Sequence, residues 1–226
     1  MNSNSKKREK TLSIILPTFN SIKTISRAVH SILIQEINYF IEIIIIDDCS
    51  TDGTYEKIMT FKSTTNFNFI VIRNKVNMGV GYSRNIGLSN SSGDFIAFLD
   101  SDDYWLKDKL KVQLMFLESN PNIDLVITDY LIENQNTDIN ISKYIQTPRV
   151  VTLRKNKYIN YIPNSTCIMR AYLAKKSEYP LIRVRNDYIF WNSLLSLKKD
   201  MKAINCFPGK AYAVYGLNPG ISNNKI

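Results

Sequence analysis

Apolar residues form short, nearly continuous runs along the first hundred positions of the chain. Runs of this kind predict strands that are buried on both faces, as in a mostly parallel sheet. The predicted strands are residues 12–16, 41–46, 69–72 and 94–99, and helical spacing of apolar residues predicts helices at 25–33 and about 81–89. This alternation of strand and helix indicates an α/β fold with helices on both faces of the sheet.

The pattern is weaker after residue 103, although apolar spacing still predicts further elements. These are helices at 106–117 and 189–197, strands at 125–128 and 166–169, and a short aromatic stretch at 212–215. The polar stretch 131–150 is typical of an excursion or mobile loop. Because no linker is visible, the sequence predicts a flexible tail over residues 1–10 and a single domain over 11–226.

Three of the predicted strands end in polar clusters. PTFN follows the first strand at residues 17–20, DDCS follows the second at 47–50, and DSDD follows the fourth at 100–103. Ligands of open α/β sheets bind beyond the carboxyl ends of the strands. The sequence therefore predicts a ligand site at this edge of the sheet.

The DSDD cluster places three carboxylates within four residues. Carboxylates this close together face solvent or hold a hard cation, and Mg²⁺ or Mn²⁺ takes oxygen ligands and shares its shell with substrate phosphates. The alternative is an acidic turn that caps a helix starting near Tyr104. The residues alone leave both interpretations open.

Three other clusters also have two interpretations each. The carboxylates of Asp47 and Asp48 suit a nucleobase or ribose, or the start of a helix. Two glycines open the helix that carries Arg84, which indicates either a phosphate-binding site or a tight turn. The pattern lacks the rest of a dinucleotide-binding fingerprint. Asp187 precedes an apolar helix and is either a general base or a charge that stabilises the N-terminus of the helix.

Composition narrows the classes of function. The chain has 29 Lys and Arg against 20 Asp and Glu, and its net charge of +9 suits an anionic partner. His30 is the only histidine, which excludes a histidine triad and a multi-histidine zinc site. Three scattered cysteines indicate a reducing compartment, and no apolar run approaches the ~20 residues of a membrane span, so we expect a cytoplasmic protein.

Taken in order, these clusters resemble the inverting family 2 glycosyltransferases with the GT-A fold. The resemblance rests on SIILPTFN, IEIIIIDDCSTDGT, NMGVGYSRNIGLSNSSGDFIAFLDSDDYW and NDYIFW, which together span residues 13–191. It implies a Rossmann-like, mostly parallel central sheet with helices on both faces and a C-terminal acceptor-binding portion. The nucleotide-sugar-binding half would cover residues 11–103 and the acceptor-binding half residues 104–226.

The resemblance also implies a role for each matching residue. Thr18 and Asp48 match residues that hold the nucleoside, and Pro17 and Asn20 shape the loop of this substrate site. The other positions are Arg84 and Asp100 for the donor, Asp100 and Asp102 for Mn²⁺ or Mg²⁺, and Asp187 for the catalytic base. Asp102 is the expected direct metal ligand, with Asp103 as a further candidate. Three positions depart from the family pattern: Asn186 replaces the usual Glu, and Ala213 and Tyr215 stand where many relatives carry Arg and His.

The reaction implied is a metal-dependent transfer with inversion, in bacterial polysaccharide synthesis. The donor would be a nucleoside diphosphate sugar, with UDP as the expected nucleotide, and the acceptor a saccharide or lipid-linked saccharide. The product would be a β-glycoside. The basic charge predicts peripheral contact with the inner face of the cytoplasmic membrane, and no nucleic-acid partner is expected.

The sequence leaves three rival interpretations open. A nucleotidyltransferase would share the fold and the acidic ligands, but PTFN lacks the glycine-rich basic loop usual after its first strand. A non-catalytic nucleotide- or carbohydrate-binding homologue is compatible with Asn186 and Tyr215. A nucleic-acid binder rests on charge alone.

Overall fold

The computed structural model describes residues 10–134 and 142–217. The strands are β1 Thr11–Thr18, β2 Phe40–Asp47, β3 Phe67–Arg73, β4 Phe95–Phe98, β5 Tyr104–Trp105, β6 Leu125–Ile127, β7 Asp129–Asn134, β8 Ser142–Ile145, β9 Val150–Thr152, β10 Ile168–Arg170, β11 Lys202–Asn205 and β12 Ala211–Leu217. The α-helices are α1 Ile25–Leu33, α2 Thr54–Ile58, α3 Val80–Ser89, α4 Lys109–Ser119, α5 Leu153–Asn156, α6 Ala171–Ala174 and α7 Asn186–Ser196. The predicted tail, except for its last residue, and the closing residues 218–226 lie outside the described residues.

Eight strands form one central sheet in the order β3-β2-β1-β4-β10-β6-β11-β9. The first four of these are mutually parallel, β10 is antiparallel to both neighbours, and β11 is again parallel to β6. The edge strand β9 is antiparallel to β11. The predicted α/β fold with a mostly parallel central sheet is confirmed, and strands from both predicted halves belong to this one sheet.

The central sheet is buried on both faces, which explains its continuous apolar runs. Successive side chains of a strand point to opposite faces. On one face Ile14 and Ile43 pack in a core with residues of α1 and α4. On the other face Ile15 and Ile44 pack with residues of α3 and α7. Helices therefore cover both faces, as predicted.

Helix α3 packs directly against the sheet at Gly87, where no side chain separates them. A Cβ at this position would lie 2.4 Å from Ile15 Cγ2 and 3.0 Å from Ile46 Cδ1. Contacts that short force a backbone shift in a packed core. The glycine thus sets the position of Arg84, three residues earlier on the same helix.

A second sheet of four strands, in the order β5-β12-β7-β8, contains part of the stretch 131–150 that the sequence predicts as an excursion or mobile loop. The prediction of a mobile loop is wrong for residues 131–134 and 142–145, because β7 and β8 pair antiparallel with Tyr130 opposite Ile145. The following turn is fixed by the buried Asp129 carboxylate, which accepts hydrogen bonds from Thr147 N and Asn205 Nδ2, both at 2.7 Å. Residues 135–141 lie outside the described part of the chain.

The alternative of an acidic turn that caps a helix at Tyr104 is also wrong. Tyr104 and Trp105 form β5, which pairs with Val214 and Ala213 of β12. The next helix begins only at Lys109. The DSDD cluster therefore lies between two strands of different sheets.

In the described part of the chain, no helix is long and apolar enough to span a bilayer.

Lys109 at the start of α4 is a fully buried amine. Its Nζ donates to Gln113 Oε1 at 2.7 Å and lies 4.1 Å from the centroid of the Trp105 ring. Burial disfavours the charged form of an amine. This burial lowers the pKa of Lys109 from 10.5 to about 7.

We predict that Lys109→Met changes how stability depends on pH. Between pH 7 and 10.5 the unfolded side chain holds its proton while the folded one has lost it. The unfolded state binds more protons there, so the stability of the wild type relative to the variant rises with pH, by about 1.4 kcal/mol per pH unit. Urea denaturation of both proteins at several pH values in this window measures the difference.

The exposed Lys111 on the same helix provides the control, since Lys111→Met should leave the pH dependence unchanged. A stability difference between wild type and Lys109→Met that stays constant across the window would contradict the lowered pKa of Lys109.

Candidate active site

The polar clusters that follow β1, β2 and β4 meet at one edge of the central sheet. Asp48 N donates to Thr18 O at 2.8 Å, which joins the first two clusters. The hydroxyl of Ser21, the residue after the first cluster, lies 2.7 Å from the hydroxyl of Ser101 in the third. The structure thus brings together the clusters that the sequence placed at the strand ends.

Thr18 and Pro17 form the end of β1 in this site. Thr18 is buried, and its Oγ1 has no hydrogen-bond partner within residues 10–134 and 142–217. Buried polar groups are nearly always hydrogen-bonded, so an exception at a strand end indicates a place for a ligand. A proline is tolerated at position 17 because β4 pairs with β1 only as far as Ile15. The missing N–H of Pro17 therefore interrupts no hydrogen bond between these two strands.

Asn20 connects the loops after β1 and β2. Its backbone has a left-handed φ of 48°, a region that Asn tolerates better than most residues. Its N donates to Ser50 Oγ at 3.0 Å, and its Oδ1 accepts from Thr51 N at 2.9 Å. Asn20 therefore fixes the shape of the loop beside Thr18.

Asp48 is buried and holds the segment that leads into α3. Its carboxylate accepts from Met78 N at 2.9 Å, Gly79 N at 2.7 Å and Asn74 Nδ2 at 2.7 Å. Because these donors belong to the protein, the carboxylate of Asp48 holds the segment before α3 in place. The sequence motif did not reveal this arrangement, because the donors are two backbone amides and one side-chain amide, 26 to 31 residues away.

Arg84 is buried in the centre of the site and contacts both the acidic cluster after β4 and the start of α7. Its Nη2 lies 2.5 Å from Asp100 Oδ1, and its Nη1 donates to Asn186 Oδ1 at 2.8 Å. The guanidinium is therefore directed at protein partners. Asn186 keeps the hydrogen bond without adding a negative charge beside Asp100 and Asp187.

The three carboxylates of the DSDD cluster have different surroundings. Asp103 is fully buried and accepts from Ser165 Oγ at 2.5 Å and from Gly216 N at 3.0 Å. Asp100 and Asp102 are half-buried, and Asp100 is paired with Arg84 as described. Asp103 thus ties the acidic cluster to neighbouring segments, whereas Asp102 lies nearer to solvent.

The carboxylates of Asp100 and Asp102 are the groups here that suit a divalent cation. Mg²⁺ is bound in enzymes by one or two carboxylates together with substrate phosphates and water, rather than by an all-protein cage. Among the residues that the structure describes, no three His, Cys, Asp or Glu side chains converge on one metal position. A cation bound here would thus need phosphate or water oxygens as well.

Asp187 lies in the first turn of α7, next to Asn186 of the central network. Its Oδ2 accepts from Asn160 Nδ2 at 2.8 Å, which orients the half-buried carboxylate. The helix follows Arg185, whose left-handed φ of 59° is uncommon for a residue with a side chain. Arg84 therefore connects Asp100 to the helix that carries Asp187.

Three further residues complete the site although no motif pointed to them. Ser165 Oγ accepts from Asp100 N at 3.1 Å and donates to Asp103, so it fixes two of the acidic positions. Arg27 Nη2 donates to Asp102 O at 3.1 Å, and Asn160 orients Asp187. These residues are distant in sequence from their partners, so local patterns carry no signal for them.

Tyr215 on β12 lies at the acidic end of the site. Burial, followed by the charges of Asp103, Asp100, Asp102 and Asp187, raises the pKa of this phenol well above its usual value. Its hydroxyl therefore keeps its proton. Ala213, the other departure from the family pattern, is fully buried in the same strand and pairs with Trp105.

These features define the class of the protein as a GT-A-type glycosyltransferase: a mostly parallel sheet, loops that meet at its strand ends, an acidic cluster after β4 and a carboxylate at the start of α7. The family profile described as "Glycosyl transferase family 2" matches residues 13–178. The chain belongs to this family.

Two curated relatives show the same similarity along most of their length. The chain is 33% identical over 216 residues to the Escherichia coli UDP-Glc:alpha-D-GlcNAc-diphosphoundecaprenol beta-1,3-glucosyltransferase WfgD, covering 95% of the chain and 81% of WfgD. It is 34% identical over 215 residues to the putative teichuronic acid biosynthesis glycosyltransferase TuaG of Bacillus subtilis, covering 95% of the chain and 79% of TuaG.

Among solved structures, the chain is similar to Staphylococcus aureus TarS. The 1–349 fragment of TarS in complex with UDP-GlcNAc superposes with a TM-score of 0.74 at 26% identity, over 96% of the chain. The match covers 62% of the TarS fragment, so the chain spans less than two thirds of that solved structure.

We predict that Arg84→Met lowers the free energy of unfolding by about 3–5 kcal/mol, because it leaves the carboxylate of Asp100 largely buried and uncompensated. The double variant Arg84→Met/Asp100→Asn should recover part of this loss, since it removes both charges. Urea denaturation of the two single variants and the double variant gives the coupling energy.

The salt bridge between Lys107 and Glu36 is exposed at both ends and serves as the control, so Lys107→Met should change stability by less than about 0.5 kcal/mol. Additive effects of the Arg84 and Asp100 substitutions would show that the two residues do not support each other.

Proposed function

We propose that the chain transfers a sugar from a UDP-sugar to a lipid-linked or polymeric saccharide in bacterial surface-polysaccharide synthesis. The observation that carries the proposal is the network Asp100–Arg84–Asn186, which holds the acidic cluster and the helix of Asp187 together. The names of the relatives support the substrates: WfgD is named for UDP-Glc and a diphosphoundecaprenol-linked acceptor, and the TarS fragment was solved with UDP-GlcNAc.

Thr18 is the proposed contact to the nucleoside of the donor. Its buried Oγ1 needs a partner, and a nucleobase or ribose offers both donors and acceptors. Asn20 and Asp48 act as positioning residues, because their polar atoms hold the loops on either side of Thr18. Pro17 ends the strand at this point.

Asp102 and Asp100 are the proposed holders of Mn²⁺ or Mg²⁺, together with oxygen atoms of the donor diphosphate. Their hard carboxylate oxygens match these cations. The bound cation would neutralise charge on the leaving diphosphate. Arg84 assists indirectly, because its ion pair fixes the orientation of Asp100.

Asp187 is the proposed general base. Its carboxylate takes the proton of the acceptor hydroxyl as that oxygen forms a bond to the anomeric carbon. The bond between this carbon and the diphosphate oxygen breaks on the opposite face, and the electron pair leaves with the nucleoside diphosphate. Configuration inverts, so an α-linked donor gives a β-glycoside. Asn160 keeps the carboxylate in place for this transfer.

A lipid-linked acceptor would require the enzyme to work at a membrane. We propose peripheral contact with the anionic leaflet, which the net charge of +9 supports.

We predict that Asp187→Asn lowers the rate of transfer by about 10²–10⁴-fold, the usual contribution of a general base, with little change in UDP affinity. The assay supplies labelled UDP-Glc, UDP-Gal, UDP-GlcNAc or UDP-GalNAc and a synthetic α-GlcNAc-diphosphate lipid. The anomeric proton coupling in the product reports whether a β-linkage has formed.

The exposed Asp200 lies beyond the end of α7, and Asp200→Asn is the matched control that should retain full activity. Unchanged transfer by Asp187→Asn would contradict its role as the base. A folded wild-type protein that binds UDP but transfers none of these sugars would instead support a non-catalytic binding homologue.

A further inference from the structure

We propose that a surface beside Asp187, formed by residues 154–159 and 181–185, docks the protein onto an anionic phospholipid bilayer. This docking surface deepens the proposed function and rests on its lipid-linked acceptor. It assigns the membrane contact to one face of the molecule.

The docking surface exposes large apolar side chains. Tyr158 is 85% exposed and Leu181 is 70% exposed, and three more exposed apolar residues accompany them: Ile159, Ile182 and Val184. Single exposed apolar residues are common on proteins, but a group of them beside a functional site marks an interaction surface.

The same two segments are basic and contain no acidic residue. Their sequences are RKNKYI and LIRVR, and the basic side chains, all exposed, are Arg154, Lys155, Lys157, Arg183 and Arg185. Apolar side chains that insert at the headgroup boundary, together with Lys and Arg that attract anionic lipids, are the features of interfacial membrane binding. A symmetric contact with a second copy would place these positive charges against one another.

Two hydrogen bonds connect the first segment and the residue that follows it to the start of α7. Tyr188 Oη donates to Lys157 O at 2.8 Å, and Asn160, which follows the first segment, donates to Asp187 at 2.8 Å. The second segment leads directly into the helix. A bilayer at this surface would therefore lie beside the proposed base, at the level where the diphosphate and first sugar of a lipid-linked acceptor emerge.

Vesicle co-sedimentation of the full chain tests the proposal. We expect binding to vesicles that contain phosphatidylglycerol, little binding to pure phosphatidylcholine vesicles, and release as the salt concentration rises from about 0.1 M to about 1 M. The variants Leu181→Ser/Val184→Ser and Lys157→Glu/Arg183→Glu should each reduce partitioning about tenfold or more.

Matched controls replace equally exposed residues elsewhere on the surface. Met59→Ser/Met115→Ser removes apolar side chains, and Lys199→Glu/Lys202→Glu makes the same change in net charge. Both should keep wild-type vesicle binding. Thermal unfolding of every variant, and its UDP affinity, report whether it is folded.

Several outcomes would overturn the docking surface. The first is wild-type protein that does not bind phosphatidylglycerol vesicles, and the second is control variants that lose binding as much as the docking variants. The third is a wild-type dimer that does not bind vesicles and that the substitutions Leu181→Ser/Val184→Ser convert to monomers. Sugar transfer without vesicle binding would contradict the docking surface alone. Vesicle binding without sugar transfer would contradict the proposed function while leaving the docking surface in place.

Discussion

The buried ion pair between Arg84 and Asp100 is the interaction on which the rest of the site depends. Four aspartates, at positions 100, 102, 103 and 187, lie close enough to the half-buried phenol of Tyr215 that their charges raise its pKa. Their mutual repulsion has to be offset, and Arg84 brings a positive charge into contact with one of them. A neutral Asn186 on the other side of the guanidinium keeps a hydrogen bond without a further negative charge. The departure from the usual Glu is therefore compatible with an intact network.

Helix α3, which carries Arg84, packs closely on both sides. Gly87 lets the helix approach β1, and a Cβ at Gly81 would lie 2.6 Å from Pro180 O in the segment before α7. The helix thus fixes the distance between the strand ends, which carry the donor groups, and α7, which carries the proposed base. Close packing at these two glycines therefore positions the groups that we propose for catalysis.

The sequence predicted the central sheet well, because strands buried on both faces leave continuous apolar runs. It also predicted which loops meet, since the carboxyl ends of parallel strands share an edge. It failed at residues 131–134 and 142–145, which form paired strands although they have no clear apolar pattern, and the buried carboxylate of Asp129 fixes the turn that follows them. It gave no sign that Asp48 would bind backbone amides, or that Ser165 and Asn160 would orient distant aspartates. Such contacts depend on tertiary structure and leave no local signature.

The most direct test of the nucleotide-sugar site is calorimetric titration of the wild type and Thr18→Val with UDP, with and without Mn²⁺. We expect UDP to bind the wild type more tightly when Mn²⁺ is present. Loss of one hydrogen bond, about 0.5–1.5 kcal/mol, should weaken binding to Thr18→Val by about 2- to 13-fold. If the folded wild type binds none of UDP, GDP, CDP or dTDP with the metal present, the proposed nucleotide-sugar site is contradicted.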